Sequence, residues 1–154
     1  MTASEDLVAD IARVAERDSL RIVTSESLTS GNLAARLGVG PSAATWLGGG
    51  IIAYQEAVKF DVLGVDEGPV VTQTCAEQMA RGAMRLLGAD VAVSTTGVGG
   101  PEPSEGKPAG TVFITVATAG DAVTRDLRLD GPPEEVLQQT CDAAVALLAE
   151  VVVD

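Results

Sequence analysis

Histidine is absent from this 154-residue sequence. That excludes Ser-His-Asp and Cys-His catalysis and every His-ligated metal site. Cysteine is nearly absent. Cys75 and Cys141 lie too far apart for a zinc motif and are too few for a disulfide scaffold. Both read as small core residues in a reduced, cytoplasmic setting. Basic residues are scarce: Lys+Arg is 10 against Asp+Glu 22, a net charge of −12. A broad contact with nucleic acid or an anionic membrane needs a basic face, so neither is expected as a partner. A small phosphate pocket built from a few donors is not excluded. Aromatics are only 3%, so the core must come from Val, Leu, Ile and Ala. No apolar run approaches the ~18 residues of a membrane span. The first residues read as an acidic helix rather than a secretory signal. No Walker loop and no Gly-x-Ser-x-Gly elbow occurs. The glycines of Thr96-Gly97-Val98-Gly99-Gly100-Pro101 are misplaced for a dinucleotide fingerprint.

What remains suffices for a core. Hydrophobic residues are 46% and mean hydropathy is +0.26. A chain of this length buries roughly two thirds of its unfolded surface without metal or disulfide. Residues 1–154 read as one domain. Ser4 reads as the N-cap of a first helix whose apolar face carries Leu7, Ile11 and Val14. Leu20 to Thr24 reads as a buried strand. A helix with Leu33 and Leu37 stops at Gly38, and Gly48-Gly49-Gly50 leads into a strand from Ile51 to Tyr54. A short helix spans Glu56 to Leu63. A longer one starts at Thr72 or Thr74, where Thr74 and Glu77 fit a capping box. Val91 to Thr95 reads as a strand and Thr96 to Gly110 as a long loop. Thr111–Ala117 and Ala122–Leu129 form a hairpin, and Gly131-Pro132-Pro133 opens the last helix. The fold class is α/β: a three-layer α/β/α sandwich around a mixed sheet. Ligands of such folds collect at the carboxyl ends of strands, where polar loops follow Thr24, Tyr54 and Thr95.

The first of these loops is the best anion cradle. Thr29, Ser30, Gly31 and Asn32 precede a helix, where unpaired N–H groups face outward. Helix capping alone explains one or two of these hydroxyls. It does not explain Thr24, Ser25, Ser27, Thr29 and Ser30 together. Ser27 is a candidate nucleophile that needs a base. Without histidine the choices are Lys59, Lys107, Tyr54 and carboxylates such as Glu26. A desolvated lysine serves as base, and a charged one holds phosphate. The plain alternative is a solvated surface lysine. Trp46 and Tyr54 are the sole members of their types; core packing is the simpler role for Trp46.

Taken in order, the loops resemble a known family. Thr24-Ser25-Glu26-Ser27-Leu28-Thr29-Ser30-Gly31 is similar to the T-A-E-S-x-T-[GS]-G signature of the CinA C-terminal domain family. Gly49-Gly50-Ile51-Ile52-Ala53-Tyr54 with Lys59, then Thr96 to Pro101, then Lys107-Pro108-x-Gly110-Thr111 match its later segments. The resemblance covers nearly the whole chain and looks like the stand-alone form. It implies an α/β/α domain that hydrolyses the carboxamide of nicotinamide mononucleotide to nicotinic acid mononucleotide and ammonia. Ser27, Tyr54 and Lys59 are the implied catalytic residues. Glu26, Thr29, Ser30, Gly31, Thr96, Gly97, Gly99, Gly100 and Lys107 would bind this small nucleotide. Neither metal nor cofactor is implied; symmetric self-association stays open.

This chain also departs from its resemblance. Gln55-Glu56 stands where relatives have Ser-Asn, Ala44 where a serine is a catalytic candidate, and Leu137-Gln138 where an arginine is common. Two other readings therefore stand beside the amidase. One is a weak or inactive relative that binds a nucleotide or phosphosugar. The other is an interaction module with a vestigial pocket.

Overall fold

The computed structural model describes residues 2–154. Its elements run α1 (Ala3–Arg17), β1 (Ile22–Glu26), α2 (Asn32–Gly38), α3 (Ala43–Trp46), β2 (Leu47–Ile52), α4 (Glu56–Asp61), α5 (Gln73–Leu87), β3 (Val91–Gly97), β4 (Thr111–Thr118), β5 (Ala122–Arg128) and α6 (Pro133–Val152). The sheet has the order β2-β1-β3-β4-β5. β2, β1 and β3 are parallel, while β4 and β5 each run antiparallel to their predecessor. The expected mixed sheet and three layers are present.

Strand alternation divides the core. Ile22, Val93, Val112 and Ile114 face α1, α2 and α6, where they meet Ile11, Leu33, Leu37 and Leu148. Val23, Ala92 and Ala117 face the other way, onto Met79, Ala80 and Ala83 of α5. Each helix stabilises the sheet by burying one apolar stripe, at roughly 1.5–3 kcal/mol per large side chain taken from water.

Several element boundaries move from the expected positions, for local reasons. The N-cap of α1 is Thr2, not Ser4. The Thr2 hydroxyl accepts from Glu5 N at 3.1 Å, and Thr2 N donates to the Glu5 carboxylate at 2.8 Å. That reciprocal box satisfies two donors at once. β1 lies two residues later than expected and carries Ser25 and Glu26 inside it, both fully buried. β2 absorbs the glycine triplet instead of following it, because a Cβ at Gly50 would lie 2.2 Å from Thr24 Oγ1. Pleated pairing with β1 demands that bare backbone. α3 was not foreseen; it buries Trp46, whose Nε1 donates to Pro41 O at 2.9 Å. α5 is capped by Thr72, whose hydroxyl accepts from Cys75 N at 3.0 Å, so Thr74 lies within the helix.

The topology parts at one place. β1 hands the chain to β2 on one side, through α2 and α3. β3 hands it to β4 on the other side. The connections diverge at the carboxyl ends of β1 and β3, the position where open α/β sheets leave a crevice.

Candidate active site at the carboxyl ends of the parallel strands

Glu26 closes β1 and is fully buried. One carboxylate oxygen accepts from Thr29 Oγ1 at 2.7 Å, Gly31 N at 3.1 Å and Leu33 N at 2.9 Å. The other accepts from Thr24 Oγ1 at 3.1 Å and Ala34 N at 2.9 Å. The start of α2 is therefore an anion site, and the protein's own carboxylate fills it. This corrects the expected placement of a phosphate there. Glu26, Thr29 and the Gly31 amide are committed internally and offer nothing to a ligand. Thr29 is also fully buried, with its hydroxyl 2.9 Å from Thr95 Oγ1. Ser30 alone of this group is exposed.

The opposite face of the sheet carries a different set. Ser27 follows Glu26 in the bend that ends β1. Its amide donates to Thr95 O at 3.1 Å, which pins it between the ends of β1 and β3. Ala53 N donates to Glu26 O at 2.7 Å, so the end of β2 lies alongside. Lys59 reaches back from α4 to that point. Its Nζ donates to Ala53 O at 2.8 Å and to Tyr54 O at 3.1 Å. Lys59 is 2% exposed. Burial holds its pKa below the ordinary lysine value, with the neighbouring Cys75, Glu56 and Glu105 opposing that shift. Ser27, Lys59 and Thr96 thus meet at one end of the sheet. Tyr54 stands at the rim, 65% exposed.

Thr96 and Lys107 are brought near but serve different partners from those expected. Thr96 Oγ1 donates to Val70 O at 2.8 Å. Lys107 Nζ donates to Val71 O and lies 5.9 Å from the centre of the Phe113 ring. Lys107 therefore ties the loop after β3 to the connection before α5. Gly97 is also structural, because a Cβ there would lie 2.6 Å from Thr111 O. Gly99 and Gly100 remain at the edge of the crevice, partly exposed, and a Cβ on Gly99 would meet only Leu28.

Three groups near the site have surroundings that the sequence did not disclose. Glu105 accepts from Val70 N at 2.9 Å and from Val71 N at 2.8 Å, which straps the loop after β3 to the connection before α5. Cys75 lies close enough to Lys59 to feel its charge, although burial still pushes its thiol up to about 11. Ser25 Oγ is buried on the α5 face without a hydrogen-bond partner among the described residues. Only the last had a signal: its serine stands where the family signature has alanine.

A cleft of about 1160 Å³ lies elsewhere, between α1, the Val39–Pro41 turn and α6, and none of the strand-end residues line it. A smaller one of about 260 Å³, beside the amino end of α5, includes Val65, Thr72 and Cys75. Volume alone does not locate chemistry; the convergence of a buried lysine with strand-end hydroxyls does. Among the described residues, no helix is long and apolar enough to cross a membrane.

Known proteins match most of this chain. The family model described as the CinA C-terminal domain matches residues 4–152. A CinA-like protein of Mycolicibacterium vanbaalenii is 42% identical over 134 residues, covering 82% of this chain and 32% of that protein. One of Mycobacterium marinum is 40% identical over 151 residues, covering 94% of this chain and 34% of its own length. The chain thus spans about a third of these curated relatives. Among solved structures, a competence-damaged protein (CinA) superfamily protein from Klebsiella pneumoniae superposes with a TM-score of 0.92 at 32% identity, covering 98% of both chains. The competence/damage inducible protein CihA from Agrobacterium tumefaciens gives 0.92 at 28% identity, covering 98% of this chain and 96% of that one.

Proposed function

This chain belongs to the CinA C-terminal domain family, and on that footing we propose that it is an amidohydrolase acting on the carboxamide of nicotinamide mononucleotide. The products are nicotinic acid mononucleotide and ammonia. The observation that carries this reading is Lys59, a buried amine with a lowered pKa, aimed at the strand end where Ser27 stands. Carbonyls take two of its N–H groups, which leaves the third for a ligand.

The chemistry asks for a proton shuttle and a cradle for negative charge. As a neutral amine, Lys59 takes the proton from the attacking oxygen, either Ser27 Oγ or a water beside it. A C–O bond forms at the carboxamide carbon. Lys59 then returns the proton to the nitrogen, the C–N bond breaks and ammonia leaves. If Ser27 attacks, water hydrolyses the resulting ester by the same route. The backbone N–H group of Leu28 donates to no protein acceptor among the described residues. It is the donor on offer to the oxyanion, contributing roughly 3–4 kcal/mol when preorganised. Tyr54 at the rim offers a face to the pyridine ring. Because Glu26 occupies the α2 start, the phosphate falls to Ser30 and the Gly99–Gly100 backbone.

Two observations favour a second reading, a relative that binds this nucleotide without turnover: Ala44 replaces a family serine, and the helix start is already filled. Ammonia release from the mononucleotide by purified protein separates the two. Activity that falls at least a hundredfold in Ser27→Ala and Lys59→Met supports the amidase. Full activity in both variants overturns the assignment. A rise in melting temperature with the nucleotide, but no ammonia, supports the binder. The cytoplasmic setting is part of the same proposal, resting on two unpaired cysteines.

A further inference from the structure

Most of what the sheet turns toward α5 is apolar: Val23, Ala53 and Ala92 meet Met79, Ala80 and Ala83. One layer near the strand ends is different. Ser25 and Ser94 are register partners on β1 and β3, and Thr96 stands two residues beyond Ser94. Each of these is at most 1% exposed. Ser94 Oγ donates to Ala76 O at 2.6 Å, and Thr96 Oγ1 donates to Val70 O at 2.8 Å. Cys75 completes the layer, its thiol within hydrogen-bonding reach of Thr96. Ser25 Oγ is enclosed and has no hydrogen-bond partner among the described residues. A buried hydroxyl left unpaired is costly, so a polar guest is called for. The layer also adjoins Lys59. Ser25 pairs with Ile51 of β2, and Ala53, two residues further along, receives Lys59 Nζ on its carbonyl. Strand spacing and rise put the Cα atoms of Ser25 and Ala53 roughly 8 Å apart.

We propose that Ser25 seats an internal water between β1 and α5, in the layer completed by Ser94, Thr96 and Cys75, and that through this water Ser25 is a positioning residue for Lys59. Chemistry and size select water as the guest. The layer offers several hydroxyls and no charge, and its neighbours Ala53, Cys75 and Ala76 are small. The cleft of about 260 Å³ beside α5 includes Cys75, which gives water a way in. Two carbonyls hold the Lys59 ammonium. A water on the strand side adds a dipole that helps the buried amine carry charge. The titratable groups facing Lys59 are Glu56 on its own helix, Cys75 on α5 and Glu105 on the loop after β3. β1 adds none to that set, so its contribution to the amine comes through Ser25.

Nuclear magnetic resonance of the isotope-labelled chain tests this directly. The parent shows a water-to-amide Overhauser effect, from a long-lived water, at Ser25 or Ser94. Ser25→Val loses it, because its two methyl groups take the places of the hydroxyl and the water. The side-chain carbon resonances of Lys59 report its protonation. Their titration midpoint moves to lower pH by at least about half a pH unit in Ser25→Val, and in the same direction by less in Ser25→Ala. Ser25→Ala, which restores the alanine of the family signature, melts at or below the parent. Removing a dry, orphaned hydroxyl would instead raise the melting temperature by roughly 2 °C or more. The kinetic consequence rests on the amidase reading: the rise of kcat/KM with pH follows the Lys59 midpoint in each variant. A parent without the water signal overturns the proposal. So does a Ser25→Ala variant that melts higher by that margin, or a Lys59 midpoint unmoved in both variants. Absence of ammonia release overturns the amidase reading instead, and the resonance and melting measurements still decide the role of Ser25.

Discussion

Replacing Glu26 by glutamine changes one atom and almost no volume, which makes it the sharpest probe of how the site is supported. Five donors converge on the Glu26 carboxylate. Two are hydroxyls that can turn away. Three are backbone N–H groups of Gly31, Leu33 and Ala34, which cannot. A glutamine has one oxygen. Turned toward Gly31 and Leu33, it sets its NH2 against the Ala34 N–H; turned the other way, it strands two amides. One orphaned buried donor costs about 1–3 kcal/mol, and the surviving bonds lose their charge assistance, so about 3 kcal/mol is expected in total. For a chain of this size each kcal/mol lowers the melting temperature by roughly 2–4 °C, giving a drop of roughly 6–12 °C. Glu26→Ala strands all five donors and leaves a cavity, which takes about 5 kcal/mol, much of a typical domain's stability. Thermal and urea denaturation followed by far-ultraviolet circular dichroism reads both. A Glu26→Gln variant that melts within about 2 °C of the parent would refute the reasoning. If it also failed to bind nicotinamide mononucleotide, Glu26 would be a substrate contact after all.

Lys59 makes stability depend on pH in a stated direction. Its folded pKa is below its unfolded one, so the native state resists the charge; the penalty is full below the folded pKa and is relieved as pH rises toward the ordinary lysine value. The stability advantage of Lys59→Met over the parent therefore shrinks from pH 7 to pH 10 in urea titrations; a constant or growing gap contradicts it. Burial lifts the thiols of Cys75 and Cys141 to about 11, so a disulfide reagent at pH 8 should modify neither in the native protein and both in urea. Rapid native labelling of either counts against the burial described. Glu105→Ala frees the Val70 and Val71 amides, so exchange there should quicken at least tenfold while α6 is unaffected; Glu105→Gln, which keeps one acceptor, should fall between. Gly82→Ala forces a Cβ to within 2.2 Å of Leu63 O and should destabilise by about 3 kcal/mol or more, the range of severe overpacking. A melting temperature equal to the parent's would show that the connection yields easily.

What could be read from the sequence was set by periodicity. Helices with one apolar stripe, such as α1 and α5, and β-branched runs such as β3 and β4 carry their own signal, and the mixed sheet follows from their order. β2 was misplaced because its glycines carry no such signal; Gly50 is required by Thr24, a neighbour that only pairing with β1 supplies. The partner of Lys107 was hidden for the same reason: a lone lysine in a glycine-rich loop looks free, and only the fold reveals the Val71 carbonyl it answers.

The signature itself shows how contiguous residues come to serve separate tasks. Thr24-Ser25-Glu26 is extended backbone, so alternate residues face opposite sides of the sheet, and Ser27 begins the bend that follows. Thr24 and Glu26 point toward α2, where they meet Thr29 and complete a buried anion site that fixes how the helix leaves the strand. Ser25 points toward α5, and Ser27 stands at the strand end near which Lys59 is tied to Ala53 O. The filled helix start is what makes Ser27 dependable: Glu26 is anchored by five donors on one side of the sheet, so the residue after it has little freedom on the other. Weakening that anchor should therefore cost activity through the position of Ser27.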